Sequence, residues 1–367
     1  MYQELSGVRI VAYTTIDDPS LYFQTALYTG NGGTQVITNG GNSDLQPDWV
    51  WTKGRSDADN NSLFDSSRGT TKELNTNGTG AEGTTSGVTA FSSDGFTLGS
   101  NNGINGNTKT YVAWQWKSNG GTETNSQAES GSNIACSVQA NTTAGFSIIT
   151  YTGTGGTGHT FLHGLGSAPA WFIIKRRNDT EDWLVYHHKN TSAPETDHLL
   201  LNTTDATSDS DTRFDDTAPN GTEIALGNNA VCNADASTYV CYAFKEVKGY
   251  SAFGGYTGNG NADGPFVYTG FKPAWVLIRN TKNGEGWMLH DTKVDDATSQ
   301  GNTVEQRFQV NETQAEVGTT TAFDFLSNGF KPRTDTGSHN GSGDSFIYMA
   351  FAASPVVSSE GIPTTAR

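Results

Sequence analysis

The chain is poor in cysteine and has no long apolar segment. Its three cysteines, Cys136, Cys232 and Cys241, are an odd number without metal-ligand spacing, which argues against a disulfide framework. Cys241 lies inside an apolar run, so we expect a small buried hydrophobic residue there. No apolar run approaches the length needed to cross a bilayer, and residues 1–4 lack the charged-then-apolar start of a secretory signal. We therefore expect synthesis in a cytoplasm and no membrane insertion.

Positive charge is also scarce. The chain has 22 Lys and Arg against 38 Asp and Glu, which gives a net charge of −16. Binding to a nucleic-acid backbone requires patches of Lys and Arg that displace counterions. The only basic cluster is 175–177, at the end of a predicted strand. The sequence therefore argues against nucleic acid as a partner.

Strong helix formers are few, and no convincing amphipathic helix is present. Glycine (44 residues), Thr, Asn and Ser fill the segments between short apolar runs, a pattern typical of turn-rich all-β proteins. Aromatic residues make up 11% of the chain and hydrophobic residues 34%. Because aromatic rings bury the most area per side chain, we expect aromatic-rich cores.

A Tyr-Thr-Gly-x-Gly pattern occurs three times, and two further landmarks follow it each time in the same order. The pattern begins at Tyr28, Tyr151 and Tyr256. A Pro-x-Trp run follows roughly twenty residues later, and its tryptophans are Trp49, Trp171 and Trp275. Each copy closes on an apolar-aromatic run, at 111–116, 239–244 and 346–351. This order predicts a triplicated domain of about 105 residues, the size of one β-sandwich.

The predicted fold is all-β, with three tandem antiparallel β-sandwich or jelly-roll-like domains. The sandwiches are predicted at 25–117, 144–249 and 250–357, with a linker at 118–143 that has a possible strand at 134–138, an N-terminal arm or docking strand at 1–24 and a C-terminal tail at 358–367. The arm is expected either on a neighbouring subunit or on its own first domain. Each Tyr-Thr-Gly-x-Gly stretch is interpreted as the entry from a strand into a turn, with its tyrosine packed.

The tryptophans favour core positions. Trp49, Trp171 and Trp275 hold the same place in every copy, which is what a core position does. Trp183 and Trp287 hold corresponding positions in the second and third copies, and the stretch 63–65, Leu-Phe-Asp, holds this position in the first copy. The exchange of tryptophan for an aliphatic or another aromatic residue also favours burial. Trp51 shares a strand face with Trp49 and is expected to be buried too.

No catalytic or cofactor motif is present. The sequence has no Gly-x-Ser-x-Gly elbow, no His-Glu-x-x-His helix and no phosphate-binding loop. The Gly-rich stretch 153–156 is interpreted as a hairpin turn, since no helix follows it. No pair of carboxylates stands out for glycoside cleavage. We assign no catalytic residue and no cofactor site.

Metal binding has one weak candidate. Carboxylates are densest between 205 and 216, and Asp209 and Asp211 could supply oxygen ligands to a structural Ca²⁺. The EF-hand pattern is missing, so a solvated acidic loop is the preferred interpretation. His159 and His163 share a face of a strand but lie too far apart for one metal ion. The pair 187–188 points to opposite faces if extended.

Recognition is expected in the loops, where binding residues are most common. The variable position of the repeated pattern is Asn31, Thr154 and Asn259 in the three copies. These residues are the candidate tips of a recognition surface.

Several runs resemble an uncharacterised repeat domain of bacteriophage virion structural proteins from marine phages, cyanophages included. The runs are 17–24, 28–32, 94–99, 144–148 and 263–268. The resemblance covers nearly the whole chain and implies a tail-fibre or receptor-binding type of protein located in the virion. It supplies no catalytic residues.

The leading hypothesis is a non-enzymatic phage tail fibre or appendage that recognises a host-surface glycan. It would contact other virion proteins and form a homo-oligomer, with a trimer plausible. A capsid decoration protein is the alternative from the structural class. A polysaccharide depolymerase is the third hypothesis, from the enzyme class.

Overall fold

The computed structural model describes residues 12–282, 284–295 and 302–364. The prediction of an all-β protein is confirmed, since 43% of the chain is strand and 7% helix. The strands form three units that follow one another along the chain and match the three sequence copies.

Unit 1 contains nine strands and one helical turn, preceded by a 3₁₀ turn at Pro19–Leu21. They are β1 Phe23–Thr29, β2 Gln35–Ile37, β3 Trp49–Gly54, β4 Ser62–Asp65, β5 Lys72–Asn75, β6 Gly83–Thr84, β7 Val88–Ser92, β8 Gly95–Leu98, α1 Asn102–Asn105 and β9 Thr110–Trp116.

Unit 2 contains ten strands and two helical turns. They are β10 Asn125–Gln127, β11 Cys136–Asn141, β12 Phe146–Thr152, β13 His159–Leu162, β14 Trp171–Arg176, β15 Trp183–His187, β16 Asp197–Leu200, β17 Ser208–Asp209, α2 Asp211–Phe214, β18 Glu223–Leu226, α3 Ala230–Asn233 and β19 Thr238–Phe244.

The described part of unit 3 contains eight strands and two helical turns. They are β20 Ser251–Thr257, β21 Val267–Tyr268, β22 Phe271–Asn280, β23 Trp287–Asp291, α4 Thr292–Asp295, β24 Thr303–Gln309, β25 Val317–Leu326, β26 Gly329–Pro332, α5 Gly337–Asn340 and β27 Ser345–Pro355.

The large sheets of the three units share one strand order. The strand that contains the motif tyrosine pairs with the closing strand. The closing strand pairs with the tryptophan strand, and two more strands follow, as β1-β9-β3-β4-β5, β12-β19-β14-β15-β16 and β20-β27-β22-β23-β24. In units 1 and 2 a second, smaller sheet covers one face, as β2-β8-β7 and β13-β18. In unit 3 the equivalent strands β26 and β21 continue the large sheet through β25. Each unit encloses an apolar core of its own between these layers.

The three large sheets also face one another across a common core. One hydrophobic cluster contains buried residues from all three units. Trp116, Phe244 and Phe351 hold equivalent places, each opposite the tryptophan of its neighbouring strand. Their ring centroids form a near-equilateral triangle with sides of 5.5, 5.8 and 6.4 Å. A pseudo-threefold axis therefore passes between these three rings.

In each unit, the strand that contains the motif tyrosine packs a phenylalanine ring against an aromatic ring of the neighbouring unit. Phe23 of unit 1 lies 5.2 Å from Phe351 of unit 3, and Phe253 of unit 3 lies 6.0 Å from Phe244 of unit 2. Phe146 of unit 2 completes the circle against Trp49 of unit 1, at 5.7 Å. The predicted burial of Trp49, Trp51, Trp171, Trp183, Trp275 and Trp287 is confirmed, with exposed fractions of 0–2%.

Buried cations join the units at their seams. Lys53, Lys175 and Arg279 are equivalent residues, and none is exposed. Lys53 donates to the carbonyls of Glu312 and Thr313 in unit 3, and Lys175 donates to Thr79 in unit 1. Arg279 donates to the carbonyl of Asp205 in unit 2. Burial lowers the pKa of both lysines to about 8.

The seams also explain the basic cluster at 175–177. Lys175 lies in a seam, and Arg177 forms an ion pair with Glu82 of unit 1 at 2.9 Å. Arg176 pairs with Asp179 of its own unit at 3.3 Å. Two of the three charges, Lys175 and Arg177, therefore join unit 2 to unit 1.

One sequence correspondence is wrong. The register places Trp183 opposite Lys175 and Trp287 opposite Arg279. In unit 1, Ser62 lies opposite Thr52, so the equivalent of the two tryptophans is Asn61 and not the stretch 63–65. All three bond a carbonyl of the neighbouring unit: Trp183 to Asn75, Trp287 to Leu200 and Asn61 to Glu312.

The predicted linker is ordered. The buried carboxylate of Asp48 accepts hydrogen bonds from the backbone N–H groups of Ser118, Gly120 and Gly121, at 2.7–3.0 Å. Residues 136–138 of the possible strand at 134–138 lie in β11, which pairs along the outer edge of β12, whereas residues 134–135 precede β11.

The described part of the N-terminal arm, residues 12–22, contacts both unit 1 and unit 3. The Ser43 hydroxyl of unit 1 donates to the carboxylate of Asp18 at 2.7 Å. Thr14 donates to the carbonyl of Lys248 at 2.8 Å, and Tyr13 donates to Gly270 at 2.7 Å. Asp17 accepts the backbone N–H of Ser359 in the predicted C-terminal tail, at 2.7 Å. Residues 1–11 of the predicted arm lie outside the described residues.

The common core predicts cooperative unfolding of all three units. Trp116→Ala leaves a cavity on the axis, and we expect the free energy of unfolding to fall by about 3–5 kcal/mol. The protein should still unfold in a single denaturant transition that shifts as a whole. Val36→Ala is the control: Val36 is 63% exposed, so the change should stay within about 0.5 kcal/mol. Separate transitions, with only one of them shifted, would contradict a common core.

Candidate functional site

A buried asparagine fixes each Tyr-Thr-Gly-x-Gly loop. Asn105, Asn233 and Asn340 each end the short helix before the closing strand of their unit and are fully buried. Their side-chain oxygens accept the backbone N–H of the loop's fourth residue, at 3.0, 2.8 and 2.8 Å. Their side-chain nitrogens donate to carbonyls of nearby loops. The sequence analysis did not predict a role for these asparagines, although they occupy the same position in the three copies.

The tyrosines of the motif are packing residues, as expected. The hydroxyl groups donate to helix carbonyls: Tyr28 to Ile104, Tyr151 to Cys232 and Tyr256 to His339. Burial raises the pKa of all three well above the usual value.

The candidate tip residues bond within their own units. Asn31 accepts the N–H of Gly33 at 2.8 Å, and Asn259 donates to the carbonyl of Asp263 at 3.0 Å. The Thr154 hydroxyl lies 2.7 Å from Nδ1 of His159. Asn31 and Asn259 are exposed and Thr154 is half-buried. These contacts shape the loops, and only the exposed sides of the tips are left for a ligand.

The weak metal candidates lie apart in secondary structure. Asp209 is in β17 opposite Asp197, whereas Asp211 begins α2. Within the described part of the chain, no group of three or more His, Cys, Asp or Glu side chains could hold a metal ion. The structure thus adds no further ligand to this pair.

The predicted histidine positions have structural contacts. His163 bonds the carbonyl of Asn220 at 3.1 Å. His187 bonds the carbonyl of Tyr348 at 3.0 Å, and His188 bonds that of Phe253 at 2.6 Å. Both partners belong to unit 3, so these two histidines help to close the seam between units 2 and 3.

Another histidine pair was not found in the sequence, because its members lie far apart there. Nε2 of His290 lies 3.0 Å from Nε2 of His339 in the core of unit 3. Nδ1 of His290 faces the carbonyl of Gln306 at 3.1 Å, and Nδ1 of His339 faces the Ser338 hydroxyl at 2.8 Å. His290 therefore donates to the carbonyl and accepts from His339, an arrangement that needs a neutral His290 ring. Burial lowers the pKa of His339 to about 3 and that of His290 well below its usual value.

A cavity of about 240 Å³ opens at the seam between units 3 and 1. Asp291 lies in its wall and is almost fully buried. Its carboxylate accepts from the Thr25 hydroxyl at 2.7 Å and from the Trp114 indole at 2.9 Å. Burial raises the pKa of Asp291 to about 6, against the lowering effect of these bonds.

Among the described residues, the most exposed aromatic side chains lie at the edge strand β21 of unit 3, where Tyr268 belongs to the strand and Phe266 directly precedes it. Phe266 is 48% exposed and Tyr268 is 58% exposed. They alternate with the buried Val267, so both rings point outward. Tyr13 extends this surface: its hydroxyl lies 3.4 Å from that of Tyr268, and Nζ of Lys248 lies 4.3 Å above its ring. We call Tyr13, Phe266 and Tyr268 the aromatic edge.

Charged side chains flank the aromatic edge. Asp263, three residues before Phe266, pairs with Lys331 at 2.6 Å and with Arg333 at 3.2 Å. The carbonyl of Asp263 also holds Asn259, the candidate tip of the third copy. One predicted tip residue thus adjoins the aromatic edge, whereas Asn31 and Thr154 lie on the other units.

The aromatic edge is specific to unit 3. Val267 pairs with Phe330, as Ile37 pairs with Phe96 and Phe161 with Ile224. The residues equivalent to Phe266 are therefore Val36 and Thr160. Only the third copy places aromatic rings at the exposed positions of this strand.

Comparison with known proteins gives a family without an assigned function. A family model described as a domain of unknown function (DUF7483) matches residues 18–355. The chain belongs to this family. No curated protein and no solved structure matches it. The described residues contain no helix long and apolar enough to span a membrane.

The histidine pair predicts loss of stability in acid. The unfolded chain binds a proton at His339 near its ordinary pKa of 6.5, but the folded chain does so only near 3. The free energy of unfolding is therefore unaffected by the titration of His339 above about pH 6.5, and it decreases as the pH falls from there toward 3. At pH 5 the loss should be about 2 kcal/mol. We expect His339→Gln to be less stable at pH 7, and its stability to fall less between pH 6.5 and 4.

Asp291→Asn serves as the opposite control. The folded pKa of Asp291 is raised to about 6 from 3.8, so this carboxyl lowers stability as the pH rises from about 4 to 6. The free energy of unfolding of Asp291→Asn should therefore fall more steeply than that of the native chain as the pH decreases. Parallel pH profiles for both variants and the native chain, from urea unfolding, would contradict these assignments.

Proposed function

We propose that this member of the DUF7483 family is a non-enzymatic structural protein of a phage virion, a tail fibre or related appendage that recognises a host-surface glycan. The virion assignment is supported by the sequence resemblance to phage structural proteins. The observation that carries the recognition proposal is the aromatic edge.

Exposed rings on a rigid strand suit a sugar ligand. An aromatic face is apolar and packs against the C–H face of a sugar ring, while nearby polar groups bond its hydroxyls. Phe266 and Tyr268 lie on a strand anchored by β26, so little entropy is lost when they bind. Asp263, Lys331 and Arg333 supply the polar groups beside them.

The threefold arrangement bears on the proposed oligomer. The common core already joins three units within one chain, so the chain itself resembles a trimer of single units. A homo-oligomer of whole chains, as proposed for an appendage, would present one aromatic edge for each chain. Several edges in one particle raise the avidity for repeated glycans.

A capsid decoration protein is the second candidate. The pseudo-threefold body favours it, because three equivalent faces around one axis fit a threefold position on a shell. Micrographs of virions labelled with antibody against the chain separate the two candidates. Label on the tail supports the appendage, and label on the head shell supports decoration.

The double change Phe266→Ala and Tyr268→Ala tests the recognition proposal. Both residues are exposed, so folding should be preserved while glycan-array binding and adsorption to host cells fall by about tenfold or more. Val36→Ala, the equivalent change in unit 1, should bind like the native chain. Equal binding by the double variant, or no glycan binding by the native chain, would count against the proposal. Soluble sugars released from host polysaccharide would contradict a non-enzymatic role.

A further inference from the structure

The strands that contain the motif tyrosine, β1, β12 and β20, have a covered outer edge in units 2 and 3. In unit 2, β11 pairs with β12 along Phe146–Tyr151. In unit 3, the backbone N–H of Phe253 donates to the Glu246 carboxylate at 3.1 Å, and its carbonyl bonds Nε2 of His188 at 2.6 Å. An uncovered edge is a template for pairing with another chain, so proteins usually protect it.

The outer edge of β1 has no such cover among the described residues. The N–H of Gly30 donates to the carbonyl of Lys109 at 2.8 Å, and the register makes every second residue before Gly30 face β9. The backbone N–H and C=O groups of Thr25 and Leu27 therefore point away from β9. β1 is an end strand of its sheet, and no described residue bonds these groups. Leu27 is also 37% exposed.

A comparison of two equivalent glycines shows open space beside this edge. Gly40 and Gly164 each lie three residues after the inward-facing residue of the preceding strand. A Cβ at Gly164 would meet the side chains of Val138 and Ala140 of β11, at 2.8 and 2.9 Å. A Cβ at Gly40 would meet no described atom within 4 Å. Gly40 lines the cavity of about 240 Å³ at the seam between units 3 and 1. We call this cavity and the open edge of β1 the β1 cleft.

The opposite wall of the cleft also matches the surroundings of β11. Thr292 and Lys293 of unit 3 line the cavity, and the registers make them the equivalents of Ser66 and Ser67 in unit 1. Nε2 of Gln139 in β11 donates to the hydroxyls of Ser66 and Ser67, at 2.9 and 2.8 Å. The cleft thus has, on both sides, the walls that enclose β11 in the seam between units 1 and 2.

The walls indicate which side chains the cleft would accept. Asp291 and Thr292 supply hydrogen-bond acceptors, and Lys293 supplies a donor. An amide side chain can donate to the acceptors and accept from the lysine. In β11 such an amide stands between the small apolar residues Val138 and Ala140. A strand with an amide between two small apolar residues therefore fits the cleft.

We propose that the β1 cleft binds an extended segment of a partner protein, which adds to β1 as β11 adds to β12. The added strand pairs with the outward backbone groups of Thr25 and Leu27, and its amide side chain enters the cavity. Main-chain hydrogen bonds supply affinity in this binding mode, and the pocket for a side chain supplies specificity. The cleft shares no residue with the aromatic edge, so it is independent of the proposed glycan recognition.

A synthetic peptide with the sequence of residues 134–143 is the probe for the first experiment. The peptide carries Cys136→Ser to prevent oxidation and a fluorophore for anisotropy. We expect saturable binding to the native chain, and its absence would overturn the proposal.

Two N-methylated forms of the peptide test the backbone pairing. In β11 the N–H of Gln139 faces β12, whereas that of Ala140 bonds Thr124 on the other side. A methyl group on the nitrogen of Gln139 should weaken binding by about tenfold or more, because it removes a hydrogen bond to β1. The form methylated at Ala140 should bind like the parent peptide. Equal binding by the two forms would contradict strand addition.

Gly40→Leu tests the place of binding by filling the cleft. Gly78→Leu is the matched control, since neither glycine has a positive φ and a Cβ at either meets no described atom within 4 Å. Both variants should fold like the native chain. Gly40→Leu should weaken binding of the peptide by about tenfold or more, and Gly78→Leu should leave it unchanged. Native binding by Gly40→Leu would place the peptide elsewhere and refute the site.

Light scattering distinguishes a partner protein from a second copy of the chain. The native chain and Gly40→Leu should have the same mass in solution. If Gly40→Leu instead breaks an oligomer of the native chain, a second copy occupies the cleft and the assignment to a partner protein is wrong. Peptide binding that appears only after deletion of residues 1–11 would likewise assign the cleft to that segment and overturn the proposal.

Discussion

The fold depends on aromatic rings that three units place around one axis. Trp116, Phe244 and Phe351 lie in the three closing strands, and their ring centroids lie 5.5–6.4 Å apart. No single unit could bury these rings by itself, since each uses the other two as the remaining walls of the core. Burial of apolar area is the dominant favourable term in folding, and here much of it exists only when all three units are present. Cooperativity between distant parts of the chain follows from this arrangement.

The shared core restricts what the seams can contain. Four buried indole N–H groups near the axis, those of Trp49, Trp51, Trp116 and Trp275, have no hydrogen-bond partner among the described residues. Each such group costs about 1–3 kcal/mol, so the packing of the rings must outweigh it. Polar contacts also cross the seams, where Lys53, Lys175 and Arg279 reach the carbonyls of the next unit. Every one of these bonds runs in the same direction around the axis, as expected if one ancestral contact was copied with the unit.

Much of this could be predicted from the sequence, because repeated landmarks identify equivalent residues. The three tyrosine motifs gave the units, and the recurring tryptophans gave buried positions. The sequence analysis did not predict the common core, although the composition of three strands indicates it. The stretches 49–51, 171–174 and 275–278 are apolar without alternation, as in strands buried on both faces. One face of each packs within its own unit and the other packs on the axis, and a sequence cannot say what covers a second face. The seams and the pair of His290 and His339 join residues far apart in the chain, so no local sequence pattern predicts these contacts.

The differences between copies locate function better than their common features. Asn105, Asn233 and Asn340 fix the same loop in each unit, and the tip residues are largely used in shaping it. Loop residues that folding constrains in all three copies have little freedom to vary for ligand recognition. Phe266 and Tyr268 are aromatic in one copy only, lie outward and bury no core, so stability does not require them. Exposed aromatic area at these positions in a single copy, with no contribution to the threefold framework, calls for an explanation in binding.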